Sequence, residues 1–277
     1  QDLEGYFLER REETIMFNML RMDLRRLLKS RSFYIVLGIT ALLLILVTVM
    51  ARSLSDPETL AAMEEQGAEI DESDRMMSEY IQNMSQLDFM HESLGSGFLL
   101  VMTGIGMTLF VNGDFSSGFI KNICCVNPRR RDYVLSKVAL AGIYSGIITV
   151  LSVLLVLLSP VLIHMYPAPD SISQIWRYTL WMWLPHWAFA LMTLALVLLT
   201  RSTTLGIILS LVAGSGLTAA FVGALAPLEQ FFLSSVVKSV YVPQNGITQG
   251  WMILACTLTW AAIYGIGSLL SMEKRDI

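Results

Sequence analysis

Six stretches of the chain are apolar over about the 20 residues that a helix needs to cross the hydrocarbon core of a bilayer. They lie at roughly 33–51, 94–112, 138–163, 178–200, 205–225 and 250–270. None has Asp, Glu, Lys or Arg in its interior. The pattern predicts an all-α membrane protein of six transmembrane helices, and the segments between the runs predict the remaining elements. Residues 16–29, "MFNMLRMDLRRLLK", put Phe17, Leu20, Leu24, Leu27 and Leu28 on one helical stripe, with Arg21, Arg25, Arg26 and Lys29 elsewhere around the wheel. A basic amphipathic helix abutting a span lies in the membrane surface, so residues 16–31 are expected to form an interfacial helix. In segment 52–93, Asp56 followed by Pro57 is an N-cap with proline at the first helical position. A second helix is expected from about Ser73, where Met77, Tyr80 or Ile81, Met84, Leu87 and His91 recur at helical spacing. The stretch "APLEQFFLSSVVKSVYVPQNG", within 226–249, is too polar to cross and too apolar for a free loop. It is expected to be a helical hairpin of short re-entrant helices in the outer leaflet, punctuated by Pro227 and Pro243. Residues 32–277 thus form one membrane domain, and residues 1–15 an N-terminal extension.

Composition sharpens this picture. In 277 residues, 54% are hydrophobic and 15% charged, with a mean hydropathy of +0.58. One globular core could not cover that much apolar surface. The net charge of −4 hides a strong asymmetry, because segment 52–93 holds eleven acidic residues against two arginines. Fifteen Lys and Arg residues flank the runs on the side of the N-terminus, and Arg52, Arg75, Arg177 and Lys238 are the four on the other. Cytoplasmic flanks carry the excess of cations, so both termini are expected in the cytoplasm and segment 52–93 outside. Trp176, Trp181, Trp183 and Trp187 fall near the expected outer end of the fourth run, where an interfacial aromatic belt belongs. The first run is too long, and follows too basic a helix, to be a cleaved signal peptide. Cys124, Cys125 and Cys256 are read as small reduced side chains.

Several chemistries are missing from the sequence. No G-x-x-x-x-G-K-[ST] occurs to cradle ATP phosphates, so the chain is not expected to be an enzyme or to bind a cofactor itself. His91, His164 and His186 are expected in separate outward segments, without metal-ligand spacing. The runs carry no Asp, Glu, Lys or Arg at membrane depth for ion coupling or hydrolysis. Pro160, Pro185 and the Gly214, Ser215, Gly216 cluster mark places for kinks or close helix approach.

The loop 113–137, within "NGDFSSGFIKNICCVNPRRRDYVLSK", is longer than topology requires, and it carries Phe115, Phe119, Ile120 and Ile123 at helical spacing. These residues are expected to seek a protein surface. Asp114 is expected near the start of a short helix and Gly118 at a close approach, with a break at Asn127 and Pro128 before three arginines. The loop resembles the first cytoplasmic loop of type-2 ATP-binding-cassette (ABC) transporter permeases, which reads acid, three residues, Gly-Thr, an apolar stretch, Pro, Arg and Lys. The matching positions are Asp114, Gly118, Ile123, Pro128, Arg130 or Arg131, and Lys137. Asp stands where Glu is usual, and Phe119 where Thr is common.

The resemblance spans residues 16–277. It implies a six-span subunit pairing with a second copy of itself in the bacterial cytoplasmic membrane. It also implies two copies of an ABC ATPase, carrying ATP and Mg, docked on a coupling helix formed by Asp114, Phe115, Gly118, Phe119, Ile123, Pro128, Arg130 and Arg131. A further resemblance, "DLEGYFLER" to the closing helix of an ABC ATPase, suggests that residues 1–15 are an ATPase remnant and Met16 a natural start. Its layout is similar to that of bacterial exporters of amphipathic toxic peptides, including phenol-soluble-modulin exporters and lantibiotic self-protection permeases. An amphipathic peptide is therefore the implied cargo, and nucleic acid is not an implied partner. Exporters of drugs, lipids or polysaccharide share the fold, and a stand-alone channel or scaffold is the reading from another class.

Overall fold

A computed structural model describes residues 2–67, 70–126, 130–162, 167–223, 229–242, 245–247 and 250–274, with most of their side chains from Met16 onward. Helix α1 (Asp2–Lys29) runs without interruption across the 15/16 boundary. It turns at Ser30 into α2 (Arg31–Ser55), the first long apolar helix. The acidic segment then folds as α3 (Pro57–Glu65), α4 (Glu72–Asn83) and α5 (Gln86–Leu94). Asp56 caps α3 by accepting from the Glu58 N–H, with Pro57 at its first position, as expected. The single helix expected from Ser73 through His91 is instead two. Capping boxes at Asp71/Asp74 and Ser85/Asp88 start α4 and α5 separately, because an acid three residues after a capping oxygen satisfies two orphan N–H groups at once. The break at Met84 and Ser85 is held by residue 168, whose carbonyl accepts from Gln86 N–H at 2.8 Å.

The chain returns through α6 (Phe98–Ser116), makes the short loop helix α7 (Phe119–Val126), and crosses again as α8 (Arg130–Leu162) and α9 (Ile172–Thr200). After α10 (Thr203–Gly214) and α11 (Leu217–Gly223) come a 3-10 turn (Glu229–Phe231), α12 (Leu233–Lys238), a minimal hairpin of β1 (Tyr241–Val242) and β2 (Gly246–Ile247), and finally α13 (Trp251–Lys274). Among the described residues, α2, α6, α8, α9 and α13 are the five helices long and apolar enough to cross a bilayer. The protein is an all-α multi-pass membrane protein. Helix α9 is its hub, with 67% of its apolar window buried, whereas α2 at 28% and α13 at 22% turn most of their surface outward.

Two expectations need correction here. The run 205–225 is not one continuous helix: twelve-residue α10, about 18 Å long, ends at a turn through Ser215 and Gly216, whose φ is +83°. The cause is close packing. A Cβ on Gly214 would lie 2.6 Å from the Val101 side chain, and one on Gly97 would lie 2.2 Å from the Gly214 carbonyl oxygen. The start of α6 thus fits into the end of α10, as the glycine cluster suggested. The segment after α11 is not purely helical either, since Tyr241 pairs with Ile247 across the β1–β2 hairpin. Pro227 and Pro243 lie outside the described residues.

The tryptophans divide. Trp176 is largely exposed, as an aromatic belt requires, but Trp183 and Trp187 stack on each other with ring centroids 6.1 Å apart. They donate to the carbonyls of Gly142 at 2.9 Å and Val138 at 3.3 Å on α8. Gly142 and Gly146 leave room for the two indoles. His186 likewise does not lie in an outward segment: it is fully buried inside α9, its Nδ1 2.6 Å from the Met182 carbonyl oxygen. His164 lies outside the described residues.

Candidate functional site

On the side of the molecule where α1 lies, α1, α6, α7 and α8 converge on four charged side chains. Asp23 comes from the inward face of α1, between Met19 and Leu27, and these three are buried at i, i+4 and i+8. Arg26 follows one turn later. Asp114 is contributed by the last turn of α6 and Lys137 by the second turn of α8. Lys137 Nζ lies 2.6 Å from Asp114 Oδ2 and 2.9 Å from Asp23 Oδ1. Arg26 completes the ring, 2.7 Å from Asp114 Oδ1 and 3.5 Å from Asp23 Oδ1. The Tyr133 hydroxyl donates to Asp114 Oδ2 at 2.9 Å, and Ser136 Oγ to Asp23 Oδ2 at 3.3 Å.

The node is formally neutral, with two acids against two bases, and this balance is what allows it to be buried. An isolated ion at such a place costs several kcal/mol of desolvation, which only near-ideal pairing offsets. Aromatic rings enclose it. Phe119, the first residue of α7, lies 3.6 Å from the Arg26 guanidinium carbon, and the Phe110 ring is 4.8 Å from Lys137 Nζ. Arg26 is the only member of the four with appreciable exposure, 32% of its side chain, and so faces the way in.

The expected docking residues distribute unevenly around this node. Asp114 does not open the short helix. It closes α6 and is 0% exposed, so it is committed to the interior and has no free carboxylate for a partner. Gly118 is not a close approach within this chain, since nothing lies within 4 Å of a Cβ built there, and its φ of +69° is what calls for glycine. The apolar set of the loop finds its surface largely on its own chain. Ile120 is 2% exposed, Ile123 and Phe115 pack against the core, and Phe115 sits under the Arg201 guanidinium at 5.6 Å. The outward face of α7 is Lys121, Asn122 and Cys125. Arg130 donates to the Met272 carbonyl at 2.9 Å, tying the start of α8 to the end of α13, and Arg131 is exposed. Pro128 lies outside the described residues.

On α1, Phe17 and Leu28 are exposed, Leu20 and Leu24 half-buried, Leu27 buried and Arg25 exposed. Leu27 therefore leaves the outward stripe. Sequence reading missed Asp23, Arg26, Tyr133, Ser136 and Lys137 as a group. One signal was available: Asp23 is the single acid in a basic amphipathic helix, which is a poor place for an acid unless it faces a cation. The opposite side carries a second polar cluster, in which Tyr241 donates to Asp88 at 2.7 Å and His91 Nδ1 lies 3.3 Å from the Tyr178 hydroxyl.

The charges of the node are paired with one another. The node fastens α1 and α7 to α6 and α8. The chain matches no protein-family model, and no curated protein matches it.

Proposed function

We propose that this chain is the membrane-spanning subunit of an ATP-driven exporter of the type-2 ABC class, acting in a bacterial cytoplasmic membrane with its termini in the cytoplasm. It pairs with a second copy of itself, and two ATPase subunits that carry ATP and Mg dock on α7. The supporting observation is the seat of α7: one face of this eight-residue helix is buried against the charge node through Phe119 and Ile120, and the other is open. A push on the open face is delivered to α1, α6 and α8 together, because ion pairs and a stacked guanidinium transmit displacement better than a flexible loop. Amphipathic peptides are the cargo we favour. The spans hold no Asp, Glu, Lys or Arg at mid-depth, which suits a membrane-active molecule better than a small ion needing a fixed counter-charge.

The test is copurification. Lys121→Glu together with Asn122→Glu alters only the open face of α7. It should leave chain yield and thermal stability unchanged while lowering the amount of ATPase recovered per tagged chain. Undiminished ATPase recovery would take the docking role away from α7, and absence of any ATPase with the unaltered chain would favour a stand-alone channel or scaffold. In the reconstituted complex, amphipathic peptides should stimulate ATP hydrolysis. A response to lipids, drugs or sugar polymers alone would reassign the cargo and leave the exporter reading in place.

A further inference from the structure

Helix α1 is divided lengthwise into three stripes. Successive residues on a helix are 100° apart, so Met19, Asp23 and Leu27 share the face that packs on α8, and Phe17, Leu20, Leu24 and Leu28 share a second. The third, at i, i+4 and i+8, is Arg21, Arg25 and Lys29, all exposed. It adjoins the apolar stripe and points away from the packed one. None of these three forms an ion pair with a described acid, in contrast to Arg26 on the same helix. An open, shallow groove lies along this face, lined among the described residues by Asn18, Met22 and the four cations Arg21, Arg25, Arg26 and Lys29. No carboxylate is among those lining residues.

We infer that this cationic stripe is a binding site for the phosphate head groups of anionic phospholipids in the leaflet on the α1 side. A soluble anionic partner would need only the charges. A bilayer also needs an apolar stripe beside them, so that Phe17 and Leu28 enter the acyl region while the cations stand about 12 Å in a row at phosphate level. The depth agrees at the far end of the helix. Tyr34, exposed at the start of α2, donates to the Leu28 carbonyl at 2.8 Å, which places a phenol where aromatic side chains gather at the membrane interface. Since Asp23 and Arg26 belong to the same rigid helix, head-group binding on one side of α1 and the charge node on the other are held by one element. The inference needs only the membrane character of the fold and stands apart from the exporter reading.

The probe is phosphatidylglycerol against phosphatidylcholine of the same chains, offered to the purified full chain and to Arg21→Gln/Arg25→Gln/Lys29→Gln. Each cation near an anionic surface contributes about a fivefold preference, so three give on the order of a hundredfold. Native mass spectrometry should find phosphatidylglycerol retained over phosphatidylcholine by the unaltered chain, and the preference lost in the triple variant and weakened by salt. The triple variant leaves every node residue in place, and its circular dichroism and thermal unfolding in phosphatidylcholine should match the unaltered chain. Equal retention of the two lipids, or an unchanged preference in the variant, overturns the site. Inorganic phosphate at millimolar concentration should not displace the lipid; full displacement would reassign the stripe to free phosphate and overturn the lipid assignment.

Discussion

Lys137 carries a heavy electrostatic burden, because it pairs with both buried carboxylates while being fully buried itself, whereas Arg26, which also reaches both, is partly exposed. Replacing it with methionine leaves Asp23 and Asp114 sharing one guanidinium, and breaking a buried pair in this way costs about 3–5 kcal/mol. Lys137→Met should therefore lower the thermal unfolding temperature sharply in detergent or nanodiscs. Adding Asp114→Asn removes the stranded charge, so the double variant should unfold at a higher temperature than Lys137→Met alone. Purely additive losses would show that the two groups do not act as a pair. Asp114 and Lys137 stand just beyond the ends of apolar runs, where flanking charges are ordinarily read as markers of topology. They serve here as structure, because α6 and α8 extend past those runs by enough to bring both ends under α1.

At the scale of elements, the turns are where a single glycine decides the path. Gly118→Ala has open space but must hold φ near +69°, a strain of about 1–2 kcal/mol, and Gly118→Asn should be better tolerated. Gly97→Ala meets both a positive φ and the Gly214 carbonyl oxygen, so it should cost more than Gly118→Ala in parallel thermal melts and loosen the contact between α6 and α10. The polar cluster opposite α1 gives a pH signature. Burial lowers the His91 pKa below its usual value, against the opposing pull of the Lys238 carbonyl and the Asp88 charge. The folded state thus holds neutral imidazole, while the unfolded chain takes up a proton below about pH 6.5. The stabilising contribution is complete above that pH and declines as pH falls toward the lowered folded value. For Asp88, burial raises the pKa but hydrogen bonds from Tyr241 and Ser85 outweigh it and hold the group below its usual range, so its share is lost only at more acid pH. Between pH 7.5 and 5 the melting temperature should fall, and His91→Gln should flatten that slope. An identical slope in the variant would remove His91 as its source.

For the whole molecule, the prediction is sidedness. Ser73 in α4 and Ser116 at the end of α6 are both exposed, at opposite ends of the bundle. With the native cysteines replaced, Ser73→Cys should react with an impermeant thiol reagent on intact cells, and Ser116→Cys only after permeabilisation. The reverse pattern would invert the orientation drawn from the lysine and arginine distribution. The largely unburied faces of α2 and α13, including Leu42, Leu46, Met50, Ile263 and Ile266, are apolar, as a surface in contact with acyl chains must be.

Hydropathy by itself determined that the chain is a helical membrane protein, where its long helices lie, that an amphipathic helix precedes the first of them and that a short one occupies the loop after the second. These follow from local properties: length of apolar run, period of the wheel, a proline after a capping aspartate. The break of the fifth run into α10 and α11 was decided by tertiary packing, since the same Gly-Ser-Gly could remain helical if α6 did not press against it. The inward turn of Trp183 and Trp187 likewise required the carbonyls of α8. Most of all, the charge node joins residues 23, 26, 114 and 137, and no periodicity connects positions so far apart. An acid in a basic helix and a lysine at the edge of a span each satisfy ordinary surface rules taken singly. Only when α1 lies across the ends of α6 and α8 does low dielectric make their pairing obligatory, and the surface charges of the sequence become the buried fastening of the fold.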